Sequence, residues 1–212
     1  MQEKATGLIL RIRPLTETSL IVHWLTEEIG RIATVAKGAR RPKSPFRGKL
    51  DLFYLHSFSF QRSRRSELHT LHEVELKETH PALRTSIENL QQSSYAAALI
   101  EQVTETESPI PELYLLFREF LAHLASSPPG HASMFAFEMK LLEALGLQPD
   151  LSETKLSEGS RKILEQYQLQ PWGNLSRLRL TANQEGEIHR FFHDYLLFHL
   201  GRVPSNRPPA GN

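Results

Sequence analysis

The first 80 residues alternate apolar and polar side chains in short runs. In the first run, Leu8, Leu10 and Ile12 fall on one face, while Arg11 and Arg13 fall on the other. Alternation with a period of two is typical of a half-buried β-strand. The same pattern predicts five strands, at residues 7–13, 19–25, 31–37, 52–60 and 68–76. Five short strands separated by turns predict a barrel with the proportions of an OB-fold.

The periodicity changes at His80-Pro81 to the spacing of amphipathic helices. Helices are predicted at residues 83–103, 111–124, 131–145, 160–167 and 183–200. The third is apolar on more than one face, which indicates the central helix of a bundle. The fold class is therefore α+β, strands first. Residues 1–79 are predicted to form an OB-fold nucleic-acid-binding domain, and residues 80–203 a helical protein-interaction domain. Residues 204–212, rich in Pro, Gly and Asn, are predicted to be a disordered tail.

The charges are divided unevenly along the chain. The net charge is +1, but residues 1–80 carry 14 Lys/Arg against 9 Asp/Glu, a net of +5. The remainder carries 11 basic residues against 15 acidic ones, a net of −4. Such a division favours two domains, of which the first has a polyanionic partner.

Most of the positive charge of residues 1–80 lies in two predicted turns. Residues 36–49 hold six Lys/Arg and no acid, with two Gly and two Pro that argue against regular structure. Residues 61–66 form a second basic turn. Between residues 31 and 65, ten basic residues face the single acid Asp51. These ten are the candidate DNA-binding residues: Arg31, Lys37, Arg40, Arg41, Lys43, Arg47, Lys49, Arg62, Arg64 and Arg65.

Two interpretations of this basic region compete. It could be a solvated surface that keeps the protein soluble, but ten cations against one acid favour nucleic acid. Lys and Arg would neutralise phosphates and release counterions, with little sequence preference. Phe46, Tyr54 or Trp24 could stack on bases, although Trp24 and Tyr54 suit the core better.

Nothing in the sequence indicates an enzyme. No nucleophile elbow, phosphate-binding glycine loop or HExxH sequence is present. The absence of cysteine excludes disulfides and thiolate zinc sites. His189 and His193 are spaced to face one metal but lack a third ligand, so we interpret them as polar-face residues. His69 and His72 are interpreted as structural. We therefore predict no catalytic residue, metal or cofactor.

No secretory signal or membrane-spanning run is recognisable, and the expected location is cytoplasmic, in association with the nucleoid. The helical domain is negatively charged, which favours protein docking over a second DNA site. Cations that could receive an acidic partner tail there are Arg118, Lys140, Arg161 and Lys162.

Several segments, in their order and spacing, resemble the bacterial recombination mediator family RecO. They are GLILR at 7–11, ETS at 17–19, LTEEIG at 25–30, AKGARRPKS at 36–44, LHTL at 68–71, HPAL at 80–83, FEMKLL at 137–142 and PDL at 149–151. The resemblance implies an OB-fold followed by a helical domain. It also implies binding of single- and double-stranded DNA and annealing of complementary strands. The implied partners are RecR, the acidic C-terminal tail of single-stranded DNA-binding protein and, indirectly, the recombinase RecA.

The chain departs from the family pattern at one place. Many members carry a four-cysteine zinc site just after the PDL segment, whereas this chain has SETK at 152–155. Zinc is therefore excluded, and we expect packing alone to hold this region.

Two alternatives to a DNA-binding mediator stay open. One is an RNA-binding OB-fold protein, because electrostatics alone do not separate DNA from RNA. The other is an adaptor whose basic loops bind an acidic protein. The loop at 36–49 is expected to be mobile before its partner arrives.

Overall fold

The computed structural model describes residues 2–127, 130–175 and 178–210. The chain divides into two compact units. One comprises Met1–His80 with Ile100–Leu115, and the other comprises Pro81–Leu99 with Leu116–Asn212. The sequence assigned residues 100–115 to the helical domain, whereas their contacts place them with the strands.

The first unit is a five-stranded closed barrel. Its strands are β1 (Gln2–Pro14), β2 (Leu20–Thr26), β3 (Gly30–Ala36), β4 (Leu55–Gln61) and β5 (Leu68–Glu78). They pair in the order β1-β2-β3-β5-β4, and β4 closes the barrel on β1. The β3–β5 pair is parallel and the other pairs are antiparallel. The predicted OB-type barrel followed by helices is confirmed.

The fourth strand begins later than predicted. Phe53 has a left-handed backbone (φ +64°), which a strand cannot contain. Its amide donates to the carbonyl of Ile9 at 2.8 Å, and the amide of Ile9 donates to the carbonyl of Tyr54 at 3.1 Å. Residues 52–54 are therefore a bend held against β1, and the strand begins at Leu55.

The barrel interior is aromatic. Trp24 is fully buried and stacks on Phe58 with ring centroids 4.1 Å apart. Its indole N–H donates to Thr34 Oγ1 at 2.8 Å, which satisfies the one polar atom that the ring brings into the core. Phe60, Leu71 and other apolar side chains complete this cluster. The interpretation of Trp24 as a core residue is confirmed.

The helices are α1 (Ile87–Val103), α2 (Pro111–Ser126), α3 (His131–Ala144), α4 (Glu158–Leu169), α5 (Trp172–Leu175) and α6 (Ala182–Leu200). Two 3₁₀ turns lie at Pro81–Thr85 and Leu151–Glu153. Ser86 separates the first turn from α1, because its hydroxyl accepts from the amide of Asn89 at 3.3 Å as a helix cap does. Helix α3 is buried around most of its circumference, which confirms it as the central helix. No described helix is long and apolar enough to cross a membrane.

Hydrogen bonds hold the region that follows the PDL segment at residues 149–151. The carboxylate of Asp150 accepts from the amide and hydroxyl of Ser152 at 2.9 and 2.6 Å. Glu187 accepts from both the amide and the hydroxyl of Ser157, each at 2.7 Å, and from the hydroxyl of Ser160 at 2.5 Å. The expectation that packing alone holds this region is therefore wrong. Among the described residues no group of three or more His, Asp or Glu could hold a metal.

The C-terminal segment contains a buried cation. Arg207, within the predicted disordered tail, forms a two-pronged ion pair with Glu138 at 2.8 and 2.9 Å. Its side chain is 5% exposed and that of Glu138 is 0% exposed. The tail prediction does not fit Arg207, since a buried, bonded side chain is an ordered one. Residues 211 and 212 lie outside the described residues.

Candidate nucleic-acid interface

Residues 37–49, here called the basic loop, connect the end of β3 to the bend before β4. Consecutive backbone hydrogen bonds fold it into tight turns. The amides of Ala39, Arg41, Ser44, Arg47 and Lys49 each donate to the carbonyl three residues earlier, at 3.0 to 3.3 Å. Gly38 and Gly48 have φ near +70°, the left-handed conformation that such turns require and that glycine adopts without strain. The loop is thus locally structured. Its expected mobility in the free protein stays a prediction.

Four contacts fasten the basic loop to the barrel. Phe46 is 6% exposed and belongs to the interior cluster. The amide of Arg40 donates to the carbonyl of Thr18 at 2.9 Å, and the amide of Gly38 donates to Ser19 Oγ at 3.3 Å. At the far end of the loop, His56 Nε2 lies 2.7 Å from the carbonyl of Lys49.

The aromatic side chains near the basic loop are therefore engaged with the barrel. The hypothesis that Phe46 stacks on a base as an exposed ring does not fit the structure, because the ring is 6% exposed and belongs to the interior cluster. Trp24 is fully buried, and Tyr54 is partly buried and packs against the same cluster. Contact with nucleic acid at this end therefore depends on cations and on smaller apolar groups.

The cations of the basic loop point to solvent. Lys37, Arg40, Arg41, Lys43 and Lys49 are exposed, and within the described part of the chain their side chains have no hydrogen-bond or ion-pair partner. Arg47 is also exposed and donates from Nη1 to the carbonyl of Pro42 at 3.1 Å. No acid lies between residues 37 and 50, so the loop itself concentrates positive charge, and the acids nearest to it in a shared pocket are Glu73 and Glu75 of β5, beside Lys49.

Two of the ten candidate residues are bound to other parts of the protein. Arg31 donates to the hydroxyl and carbonyl of Thr104 at 3.3 and 3.0 Å. Arg62 forms a two-pronged ion pair with Glu3 at 2.8 and 2.9 Å and also contacts Glu107. The hydrogen bond between Arg62 and Glu3 is the main reason that the pKa of Arg62 is raised and that of Glu3 is lowered. Neither guanidinium is available to a phosphate without breaking these bonds.

The remaining two candidates lie apart from the basic loop. Arg64 and Arg65 are exposed in the turn between β4 and β5, whereas the basic loop precedes β4. The two basic segments therefore precede and follow β4 in the chain. The turn also has three acids beside its three arginines, namely Glu3, Glu67 and Glu107. Among the candidates, the six of the basic loop are therefore the group with no acid within their own segment.

The outer wall of β1, β2 and β3 is occupied. Arg11 donates to Glu101 at 3.0 Å and forms a second bond with the same carboxylate. His23 Nδ1 lies 3.9 Å from Glu101, and burial lowers the pKa of this imidazole. The amide of Glu107 donates to the carbonyl of Arg31 at 2.9 Å. The segment 101–107 thus binds the polar groups of this wall, which leaves the loops as the open surfaces.

The sequence analysis did not foresee this use of residues 101–107. The available signal was the run EQVTETE, three acids in seven residues at the end of a predicted helix. Such a run is equally typical of a solvated helix end. Only the strand positions of Arg11 and Arg31 show what these residues bind.

The cations suggested for an acidic tail in the helical unit are partly engaged. Lys140 Nζ donates to the carbonyl of Gln170 at 3.0 Å and lies 5.7 Å from the ring of Trp172. Burial lowers the pKa of Lys140. Lys162 pairs with Glu158 at 2.6 Å. The structure therefore does not show these cations meeting in one pocket, and their role in binding an acidic tail stays a prediction.

The histidine pairs have separate surroundings. His69 is buried, stacks on Phe60 with centroids 5.3 Å apart and lies 2.7 Å from Glu107, which confirms a structural role. His72 is exposed on the same strand. His189 Nε2 lies 3.0 Å from Arg207, a cation that would oppose a metal ion at that nitrogen.

Comparison with known protein sequences identifies the family of this chain. Residues 1–80 match the sequence profile described as Recombination protein O N terminal, and residues 84–155 match that of its C terminal. The chain is 34% identical over 70% of its length to DNA repair protein RecO of Anaeromyxobacter dehalogenans, and 32% identical over 72% to that of Bacillus subtilis. These matches span 58% and 59% of the two relatives. A third, from Pelotomaculum thermopropionicum, is 29% identical over 94% of the chain and 90% of the relative.

Proposed function

The chain belongs to the recombination protein O (RecO) family, and on that basis we propose that it is a DNA-binding recombination mediator in DNA repair. The observation that carries the proposal is the basic loop. Its six cations share one end of the barrel without an intervening acid, and five of them have no side-chain partner among the described residues. A surface of this kind favours a polyanion.

In the proposed mechanism the basic loop holds the phosphates of a DNA strand. Lys37, Arg40, Arg41, Lys43 and Lys49 neutralise backbone charge, and Arg47 does so from a fixed position. Neutralisation lowers the repulsion between two complementary strands, while contacts to phosphate leave the base edges free to pair. This combination promotes annealing without sequence preference. The protein supplies no covalent chemistry in this scheme.

The partners follow from family membership. We propose that the protein acts with RecR to help load RecA on single-stranded DNA coated by single-stranded DNA-binding protein. The helical unit is assigned to protein docking. Residues 81–212 carry an excess of four acids, but four of their acids lie in the segment 100–115 that belongs to the barrel unit, so the helical unit itself carries 11 basic and 11 acidic residues and has no positive excess that would favour a second DNA site.

Salt-dependent binding of a labelled single-stranded oligonucleotide tests the phosphate contacts. If about six phosphates are neutralised, log K should fall against log salt with a slope of roughly −4. The variant Arg40→Glu/Arg41→Glu/Lys43→Glu should bind far more weakly. Arg64→Glu/Arg65→Glu is the control, because these arginines are equally exposed but belong to the turn that follows β4. A salt-insensitive binding constant, or equal losses in both variants, would contradict the assignment.

Strand annealing tests the function. The wild type should accelerate annealing of complementary oligonucleotides coated with single-stranded DNA-binding protein, and the triple Glu variant should not. Equal rates would remove the basic loop from the mechanism. Competition between matched DNA and RNA oligomers separates a DNA mediator from an RNA-binding protein. Absence of any oligonucleotide binding at low salt would indicate an adaptor for acidic proteins.

A further inference from the structure

The basic loop encloses an open groove of about 410 Å³. Its floor is apolar and consists of Leu20, Ala39, Phe46 and Leu50. These four side chains pack against the interior cluster of the barrel, so the floor is a continuation of the core that stays accessible from outside. The volume falls within the range of roughly 300–1,000 Å³ of small-molecule pockets.

Three arginines form the rim of the groove, namely Arg40, Arg41 and Arg47. Arg47 is held in place by its bond to the carbonyl of Pro42 at 3.1 Å. Gly48 completes the rim without a side chain, and an added Cβ there would meet no atom within 4 Å, so this side is open. An apolar floor therefore lies beside three exposed guanidinium groups, one of which is also held by a hydrogen bond.

We propose that this groove receives one unstacked base of a single-stranded DNA, with the neighbouring phosphates on the three arginines. An apolar floor beside cations matches a nucleotide, whose flat base is poorly hydrated and whose phosphate is anionic. A bare phosphate would not use the floor, and a duplex would not present a free base face. Arg guanidinium planes also stack on bases. The inference rests on the proposed function and deepens it, because it makes single strands the preferred ligand.

Two fluorescein-labelled oligomers test the base contact in the full-length protein. One is octathymidine, and the other carries abasic tetrahydrofuran residues at all eight positions and therefore has the same phosphates without bases. The intact oligomer should bind about tenfold more tightly, which is the effect of stacking or burying one base. The salt slopes of the two oligomers should be equal, because the phosphate contacts are the same. Equal affinity of both oligomers for the wild type would overturn the inference.

Variants locate the preference within the groove. Ala39→Phe should fill the groove and abolish the tenfold preference while abasic binding stays unchanged. Leu50→Ser should reduce the preference without adding volume, and circular dichroism with thermal melting verifies that each variant is folded. Lys43→Gln is the charge control, because Lys43 belongs to the basic loop but does not line the groove. It should weaken both oligomers equally and keep the tenfold ratio.

The outcomes separate this inference from the function on which it rests. If neither oligomer binds at low salt, the proposed function fails and the inference fails with it. If both bind with the expected salt slope but equally well, DNA binding stands and the base site is wrong. Equal affinity together with displacement by an acidic peptide would assign the groove to a protein segment. A preference that persists in folded Ala39→Phe would place the base elsewhere.

Discussion

His56 donates from Nε2 to the carbonyl oxygen of Lys49 at 2.7 Å, and this bond ties the last residue of the basic loop to β4. A carbonyl can only accept, so Nε2 carries the proton in this bond. The ring is fully buried with its centroid 5.5 Å from that of Trp24. Burial is the main cause that lowers the pKa of His56 and keeps it neutral.

Loss of this anchor should loosen the basic loop. His56→Ala removes a buried ring and its hydrogen bond, and we expect the barrel to lose about 2 kcal/mol of unfolding free energy. Hydrogen exchange at the amides of residues 44–49 should become faster. His72→Ala, at an exposed position of β5, is the control and should change neither the unfolding free energy nor the exchange rates. Unchanged exchange in folded His56→Ala would show that the other three contacts suffice to hold the loop.

The barrel should be less stable in mild acid. The folded-state pKa of His56 lies below 6.5, so the unfolded chain binds protons at a higher pH than the folded chain does. The contribution of His56 to the free energy of unfolding is therefore fully present above pH 6.5 and is lost as the pH falls toward the pKa of the folded state. Burial shifts His23 in the same direction.

Denaturant unfolding at pH 7.5 and pH 5.5 measures this dependence. Trp24 fluorescence reports on the barrel when Trp172, the second of two tryptophans, is replaced in a Trp172→Phe background. His56→Gln should show a smaller pH dependence, because its amide can still donate to Lys49 but does not titrate. Stability that increases on acidification would contradict the assignment of a neutral, buried imidazole.

Phe46 should couple barrel stability to DNA affinity. Its ring is 6% exposed in the interior cluster, so Phe46→Ala should cost about 3 kcal/mol of unfolding free energy. The basic loop would then lose its apolar anchor, and oligonucleotide affinity should fall although no charge is removed. Phe198→Ala is the control, because that ring is 83% exposed and should change stability by less than about 0.5 kcal/mol. A destabilised Phe46→Ala that binds DNA normally would separate the two roles.

Arg62 and Arg41 should have opposite phenotypes. Arg62→Gln breaks the bonds with Glu3 and Glu107 and should cost about 1 kcal/mol of stability, with little change in DNA affinity. Arg41→Gln should leave stability unchanged and reduce the salt slope by about 0.7, the contribution of one phosphate contact on a single strand. Chemical denaturation and fluorescence anisotropy measure the two effects. A reduced salt slope in Arg62→Gln would return that residue to the interface.

The C-terminal segment should be needed for the stability of the helical unit. Among the described residues, Arg207→Ala leaves the buried carboxylate of Glu138 with the hydroxyl of Tyr95 as its remaining partner, at 2.6 Å, and it should cost about 3–5 kcal/mol. The double variant Arg207→Met/Glu138→Leu should be more stable than Arg207→Ala, because no unpaired charge remains. Arg190→Ala, an exposed arginine, is the control. If Arg207→Ala unfolds at the wild-type denaturant concentration, the tail is dispensable.

The sequence by itself determined the strands, most of the helices and the location of the positive charge. Strand and helix periodicities are properties of neighbouring residues, so Leu8, Leu10 and Ile12 predict β1 without any knowledge of the partner strand. The cations at 37–49 are likewise visible in one dimension. The late start of β4 was not visible in the sequence, since it depends on the left-handed backbone of Phe53, which is held by Ile9.

Only the tertiary structure decided which cations stay available. Arg31 meets Thr104, 73 residues away, and Arg62 meets Glu107, 45 residues away. It also decided that Phe46 closes the barrel core and that Arg207 is buried beside Glu138. Burial and ion pairing depend on residues that the fold brings together from distant parts of the chain. A local pattern of charge therefore cannot distinguish a neutralised arginine from a free one, and the engagement of Arg31 and Arg62 becomes visible only when their partners are known.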